Sequence, residues 1–278
     1  VRALVSRAPR VDVGWAALAL ALAVLYAPVL RAVVAAWATV PYYSYGFLVP
    51  AFSAYLAWDA RHEVARRPLA PSRRGLVVVA AGLGVLALGL AAGSLTVQAL
   101  SVPVVATGAL VVALGPARTR ALAFPLGFLV FMTPLPEGAP AALSPPLQQV
   151  AASAGEWLLW SLGVPVRRDG LYLALPSVTL HITETCNGLR FLLAMAVVGV
   201  AFAGTTQRRW RRRALVVAAA LATALLANWL RVAGTGMLAE LYGHEAAVGT
   251  PHVVWGKVVY AGMLVPFVMV VMTLRRKA

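Results

Sequence analysis

Long apolar runs separated by short arginine-rich segments constrain this chain more than any other feature of its sequence. A helix that crosses a bilayer needs roughly 20 apolar residues. About eight stretches approach that length: Trp15–Trp37, Tyr43–Trp58, Gly75–Ala92, Val97–Leu114, Ala121–Leu135, Gly188–Ala203, Ala214–Ala233 and Val253–Leu274. The first is preceded by Arg2, Arg7 and Arg10 like a signal peptide, but its apolar length exceeds the hydrophobic region of one, so it reads as a helix. With 61% hydrophobic and only 12% charged residues, against about 25% charged in soluble domains, the chain is expected to be an all-α polytopic integral membrane protein. A single membrane-embedded domain over residues 1–278 is expected.

The charges set the topology. A net charge of +15 in a soluble chain would point to nucleic acid. Here the basic residues cluster between apolar runs, as cytoplasmic loops do, and no nucleic-acid partner is expected. With the N-terminus inside, Arg2, Arg7, Arg10, then Arg61, Arg66, Arg67, Arg73, Arg74, then Arg118, Arg120, then Arg208, Arg209, Arg211, Arg212, Arg213, and finally Arg275, Arg276 and Lys277 all fall on the cytoplasmic side. Arg31, Arg167, Arg168, Arg190, Arg231 and Lys257 fall in the outer half or in helices near it. The expected arrangement is eight spans in the plasma (inner) membrane, both termini cytoplasmic, with the long loop over about 136–185 outside.

That loop has structure of its own. Leu147, Val150, Ala151, Ala154, Trp157, Leu158 and Ser161 follow the spacing of one helical face, with Ser144 as cap and Gly163 near the end. An amphipathic helix in the outer interface is expected, with Trp157 and Trp160 at headgroup depth. Leu171–Leu175 and Val178–Thr183 alternate around Pro176-Ser177, which predicts a short β-hairpin leading to Cys186.

The only cysteine lies in Glu184-Thr185-Cys186-Asn187-Gly188-Leu189-Arg190, at the start of an apolar run. A thiolate there is favoured by helix-start N–H groups, and Arg190 lies four residues on along a helical face. The same cysteine also reads as a small buried hydrophobe. By the alternation, the sixth span runs inward from Cys186, the seventh reaches Asn228 and Arg231 near its outer end, and the eighth starts after His252. Cysteine, arginine and histidine then share one depth. An ionisable group in a span is costly and is by default a functional candidate; Arg231 also has a snorkelling alternative, and His252 a capping one. Asn228, three residues before Arg231, is placed to bond the guanidinium. His181 is a second candidate base.

Together Cys186, His252 and Arg231 supply a nucleophile, a proton carrier and a site for an oxyanion, the needs of acyl transfer by a thiol. No G-x-S-x-G or H-E-x-x-H is present, so serine hydrolase and zincin chemistry have no support. One cysteine excludes an intrachain disulfide, and the four histidines, at 62, 181, 244 and 252, have no metal or haem spacing. No cofactor and no metal are expected.

These residues resemble the exosortase/archaeosortase family of membrane cysteine transpeptidases. Tyr43-Ser44-Tyr45-Gly46-Phe47-Leu48-Val49-Pro50 is similar to its early Y-S-H-G-F-L-V-P segment, and Pro134-Leu135-Pro136 with Leu147-Gln148 to its P-L-P and L-Q stretch. Gly163-Val164-Pro165-Val166 with Asp169-Gly170, Glu184 to Arg190, Asn228-x-x-Arg231, and His252 with Gly256 are similar to the remaining blocks, in order. Tyr45 stands where the family often has histidine, and Asn187 where it has serine. The resemblance implies Cys186 as nucleophile, His252 as acid–base and Arg231 as oxyanion or substrate stabiliser, with Asn228, Arg190, Glu184 and Asn187 in support. It implies a substrate with a C-terminal sorting tail: a short signature such as Pro-Glu-Pro, a transmembrane helix and a basic end. The acyl group passes to an acceptor, with a membrane lipid or glycan among the candidates. Competing readings are a cysteine protease whose thioester is resolved by water, and a non-catalytic membrane scaffold or transporter.

Overall fold

The structure, a computed structural model, describes residues 13–276; the cytoplasmic assignments of Arg2, Arg7, Arg10 and Lys277 lie outside the described residues. The chain divides into two compact units between Pro136 and Glu137. In the first, helix α1 (Val13–Thr39) is followed by a 3-10 turn (Pro41–Phe47), α2 (Leu48–Asp59), α3 (Arg61–Arg66), α4 (Arg74–Ala91), α5 (Leu95–Leu114), α6 (Pro116–Ala121), α7 (Ala123–Phe128) and a second 3-10 turn (Leu129–Met132). In the second, α8 (Ala139–Ser161) leads to strands β1 (Arg167–Asp169), β2 (Tyr172–Ala174) and β3 (Thr179–His181). A 3-10 turn (Glu184–Cys186) then precedes α9 (Leu189–Thr206), α10 (Trp210–Tyr242), α11 (His244–Val248) and α12 (Thr250–Arg276).

Six segments among the described residues are long and apolar enough to cross a membrane: Leu20–Thr39, Arg74–Ala91, Leu95–Leu114, Glu184–Thr206, Trp210–Tyr242 and Thr250–Arg275. The protein is an all-α polytopic membrane protein with one small sheet. The other two predicted stretches are broken. Tyr43–Trp58 is a 3-10 turn followed by the 12-residue α2, and Ala121–Leu135 is divided between α7 and a 3-10 turn. Pro50 and Pro125 each stand in the first turn of their helix, where a missing N–H costs nothing but cannot carry a ladder onward from the preceding segment.

Within the first unit, α4 and α5 pack through glycine. A Cβ added at Gly75 would lie 2.5 Å from the carbonyl of Gly108, one at Gly82 2.5 Å from Val105, and one at Gly89 2.6 Å from the backbone of Gln98. The three glycines are seven residues apart, so they fall on one face, and the backbones approach as small residues allow in lipid. Trp37 packs against Gly46 of the first 3-10 turn and donates its indole N–H to the Met132 carbonyl at 2.9 Å.

In the second unit, α10 packs against α8, α9 and α12. The sheet has the order β1-β2-β3, all antiparallel, with Leu173 opposite Leu180. Leu173, Leu180 and Ile182 lie in one core cluster with Ala151 and Leu159 of α8 and Val232 of α10. The strand β1 is absent from the sequence expectation because Arg167-Arg168-Asp169 lacks the β-branched and aromatic residues that mark strands.

The apolar stripe expected to face the interface along α8 differs from the face it packs within the unit, and the expected cap is corrected. Its buried residues are Ser144, Gln148, Ala151, Ala152, Gly155 and Leu159, while Val150, Trp157 and Trp160 are exposed. Ser144 is inside the helix and does not cap it; Gly138, at φ +82°, precedes the first turn. Against lipid the outward face is as apolar as the inward one, so helix–helix contact is marked by small and polar residues instead. At the other end Gly163, at φ +80°, closes the helix, with Val164 N–H donating to the Leu159 carbonyl and Gly163 N–H to that of Trp160, each at 3.0 Å.

A Cβ on Gly155 would lie 2.6 Å from Val232 Cγ1. Gly155→Ala is therefore expected to force α8 away from α10 and destabilise the protein by about 1–3 kcal/mol, read as a lower thermal midpoint in detergent micelles.

Candidate active site

Cys186 ends a short 3-10 turn, and the carbonyls of Ile182, Thr185 and Cys186 fall outside its own ladder. Three side chains from two helices take them. Gln148 Nε2 of α8 donates to the Ile182 carbonyl at 3.0 Å, Arg231 Nη1 of α10 to that of Thr185 at 3.1 Å, and Asn228 Nδ2 of α10 to that of Cys186 itself at 3.0 Å. The Cys186 N–H closes the turn onto the Thr183 carbonyl at 2.9 Å. Asn228, read from the sequence as a partner for the guanidinium, thus holds the backbone of the cysteine; it is 2% exposed, so losing that bond would leave a buried amide unsatisfied.

The chain next reverses into α9. Asn187 donates to Ser144 Oγ at 2.7 Å and accepts from the Leu189 N–H at 2.8 Å, which fixes the helix start to α8. Gly188 stands between at φ +80°. The thiol therefore precedes the helix across a break. Arg190, expected one turn along the same helical face, follows that break and is exposed, as is Glu184.

The thiol's hydrogen-bond partners among the described residues are the hydroxyls of Thr183 and Thr185, at 3.8 and 3.9 Å. Arg231 Nη2 lies 3.1 Å from His252 Nε2, and His252 Nδ1 lies 3.0 Å from Thr235 Oγ1. A guanidinium only donates, so Nε2 presents its lone pair to Arg231 and Nδ1 carries the proton to Thr235. The resting imidazole is neutral and its tautomer is set. Tyr260 of α12 places its hydroxyl 3.3 Å from Arg231 Nη1 and 3.5 Å from Asn228 Oδ1, stacked on Phe191. Gly256, one turn earlier on α12, leaves room for the guanidinium: a Cβ there would lie 3.3 Å from Arg231 Nε.

Cys186, Arg231 and His252 line one cavity of about 470 Å³ with Thr179 to Thr183, Thr185, Val232, Thr235 and Ala247. His181 is on its wall, stacked on Tyr172 with ring centroids 4.6 Å apart. Thr235 and Tyr260 are absent from the sequence reading, although spacing marks both; Gln148 appears there only within the Leu147-Gln148 resemblance, without a role. Thr235 is four residues past Arg231 on α10 and bonds His252 of α12, while Tyr260 is eight past His252 on α12 and bonds Arg231 of α10.

Fold and site define a polytopic membrane protein with a thiol, a guanidinium and an imidazole around one cavity. Residues 37–269 match the transmembrane exosortase family (Exosortase_EpsH), and the chain belongs to that family. It is accordingly a membrane protein-sorting enzyme that acts on proteins carrying sorting signals. No curated protein and no solved structure matches the chain.

A Cβ on Gly188 would lie 2.7 Å from Asn228 Cγ. Gly188→Ala combines that clash with the ~1–2 kcal/mol cost of a left-handed alanine, and it acts on the side chain that holds Cys186. It is expected to lower the thermal midpoint and abolish substrate processing. Gly163→Ala, with a similar φ but open space around it, incurs only the backbone cost and is expected to keep processing.

Proposed function

We propose that this exosortase is a cysteine transpeptidase that removes the C-terminal membrane-anchored sorting tail of exported proteins and passes the acyl group to an acceptor. The observation that carries the reading is the shared cavity of Cys186, Arg231 and His252. A substrate carbonyl entering it competes for the Arg231 Nη2 hydrogen that His252 Nε2 holds at rest. When the carbonyl takes that donor, Nε2 is freed to accept the Cys186 proton.

The thiolate then adds to the scissile carbonyl, and the oxyanion is held by the guanidinium. His252 returns the proton to the leaving amine, the C–N bond breaks, and the tail departs, leaving a thioester on Cys186. An acceptor hydroxyl or amine, from a lipid or a glycan, gives its proton to His252 and attacks the thioester, which restores the thiol. With water as acceptor the same steps give hydrolysis. Thr235 sets the histidine tautomer, while Asn228 and Asn187 position the thiol; Arg190 and Glu184 border the turn.

The outer face of the plasma membrane is the site this reading assigns. The apolar stretch of α10 between Arg213 and Arg231 is about 27 Å long at helical rise, and that of α12 between Lys257 and Arg275 is about 27 Å, each close to the hydrocarbon thickness of a bilayer. The arginine-rich loop before α10 then lies inside, and Arg231 lies at the opposite boundary. The 3-10 turn over Pro41–Phe47 and α2 add up to about 32 Å. That is enough to cross once and place Arg61 to Arg74 inside, as the proposed arrangement with both termini cytoplasmic requires.

The reading is tested by mass spectrometry of surface-protein C-termini in host cells carrying the natural enzyme or Cys186→Ala. Tails removed only by the natural enzyme support it; an added mass on the new C-terminus identifies transfer, and a free carboxylate identifies hydrolysis. Identical C-termini in both strains overturn it in favour of a scaffold or transporter. Arg231→Lys replaces a fork that reaches Thr185 and His252 together by a single point charge. Its processing rate is expected to fall about 10²–10³-fold, the usual loss for an oxyanion donor.

A further inference from the structure

The cavity wall that leads to Cys186 is the free edge of a sheet. The two edges of the β1-β2-β3 sheet are treated differently. On β1 the outward N–H of Arg168 is taken by Glu156 of α8 at 3.0 Å, and the Arg168 side chain closes over the same carboxylate at 3.3 Å. On β3 no further strand pairs among the described residues, and Thr179 to Thr183 line the cavity.

The ladder shows which groups face it. Leu175 N–H bonds the Val178 carbonyl and Ile182 N–H bonds that of Leu171, both at 2.9 Å. Antiparallel pairs alternate between bonded and non-bonded, so Val178, Leu180 and Ile182 turn their backbone groups toward β2. Thr179 and His181 turn theirs outward, and their side chains are exposed while Leu180 and Ile182 are buried. The outward N–H and C=O pairs repeat about every 7 Å, the period of an extended peptide. An exposed edge of this kind is ordinarily blunted or covered. Here it ends five residues before the thiol.

The geometry points to strand addition: the extended segment of the substrate next to the scissile bond pairs with the outer edge of β3, hydrogen-bonding the backbone of Thr179 and His181, and is thereby led to Cys186. This rests on the peptide-cleaving reading above. The occupant is a peptide because the groups offered are a strand's own donors and acceptors, they are continuous with the cavity of Cys186, Arg231 and His252, and the family acts on proteins. Recognition through backbone leaves sequence preference to side chains at alternate positions, those that lie beside Thr179 and His181.

Proline supplies the test, since at an outward position it removes the docking N–H and blocks the edge without touching the β2–β3 ladder. In host cells, His181→Pro is expected to reduce C-terminal processing of surface proteins by roughly tenfold or more, while His181→Ala, which keeps the backbone N–H, retains it, with Cys186 in both still alkylated by iodoacetamide as in the parent; equal loss in the two overturns the backbone role. Proline scanning of the five residues before the cleavage point in one processed surface protein is expected to give loss at alternate positions. It decides the matter if His181→Pro also alters alkylation. Retained processing in His181→Pro, or tolerance or loss without alternation in the scan, overturns strand addition. Retained processing together with a shift in oligomeric state assigns the edge to a second copy of the chain. Cys186→Ala separates the two readings: if it is inactive while His181→Pro is active, strand addition fails and the thiol chemistry stands.

Discussion

Three backbone carbonyls beside the thiol, those of Ile182, Thr185 and Cys186, accept hydrogen bonds from Gln148, Arg231 and Asn228. A chain that leaves a strand and enters a transmembrane helix interrupts one ladder before the next begins, and any buried group in the gap must find its partner within the protein. The solution recruits two helices, and it fixes the thiol-bearing turn as a by-product. Ser144, through Asn187, ties the start of α9 to α8. The polar residues of α8 and α10 thus serve the backbone first and the chemistry through it.

Arg231 is where the two demands meet. Its Nη1 bonds the Thr185 carbonyl and the Tyr260 hydroxyl, while Nη2 faces His252. One guanidinium joins the turn, α12 and the imidazole, a task for a rigid fork with five donors rather than for an ammonium. The tautomer of His252 follows from the same contact, because a group that cannot accept leaves the facing nitrogen no option but to present its lone pair.

The sequence makes parts of this legible for physical reasons. Runs of apolar residues of bilayer length are unambiguous, and six of them are long helices. The two that are broken contain a proline near the helix start, whose effect on continuity depends on what precedes it. Arg231 stands out because ionisable groups are rare in such runs, and Cys186 and His252 because each immediately precedes one; all three line one cavity. Thr235 and Tyr260 are ordinary residues of apolar helices, and only their spacing from Arg231 and His252 betrays them. The packed face of α8 is hidden for the opposite reason: periodicity finds the apolar side, and here that side includes Val150 and Trp157, which are exposed.

The glycine contact between α4 and α5 bears on the order in which the molecule is made. Only Ala92 to Ser94 separate the two helices, so their pairing closes a short loop at little entropic cost. It can form while later residues are still being synthesised. The cavity is the reverse case. The turn at Cys186 waits for Asn228 and Arg231 on α10, and the imidazole waits for α12, so its contacts are long in sequence and late in time. A partly synthesised chain therefore carries its thiol before the guanidinium and the imidazole that share its cavity are in place.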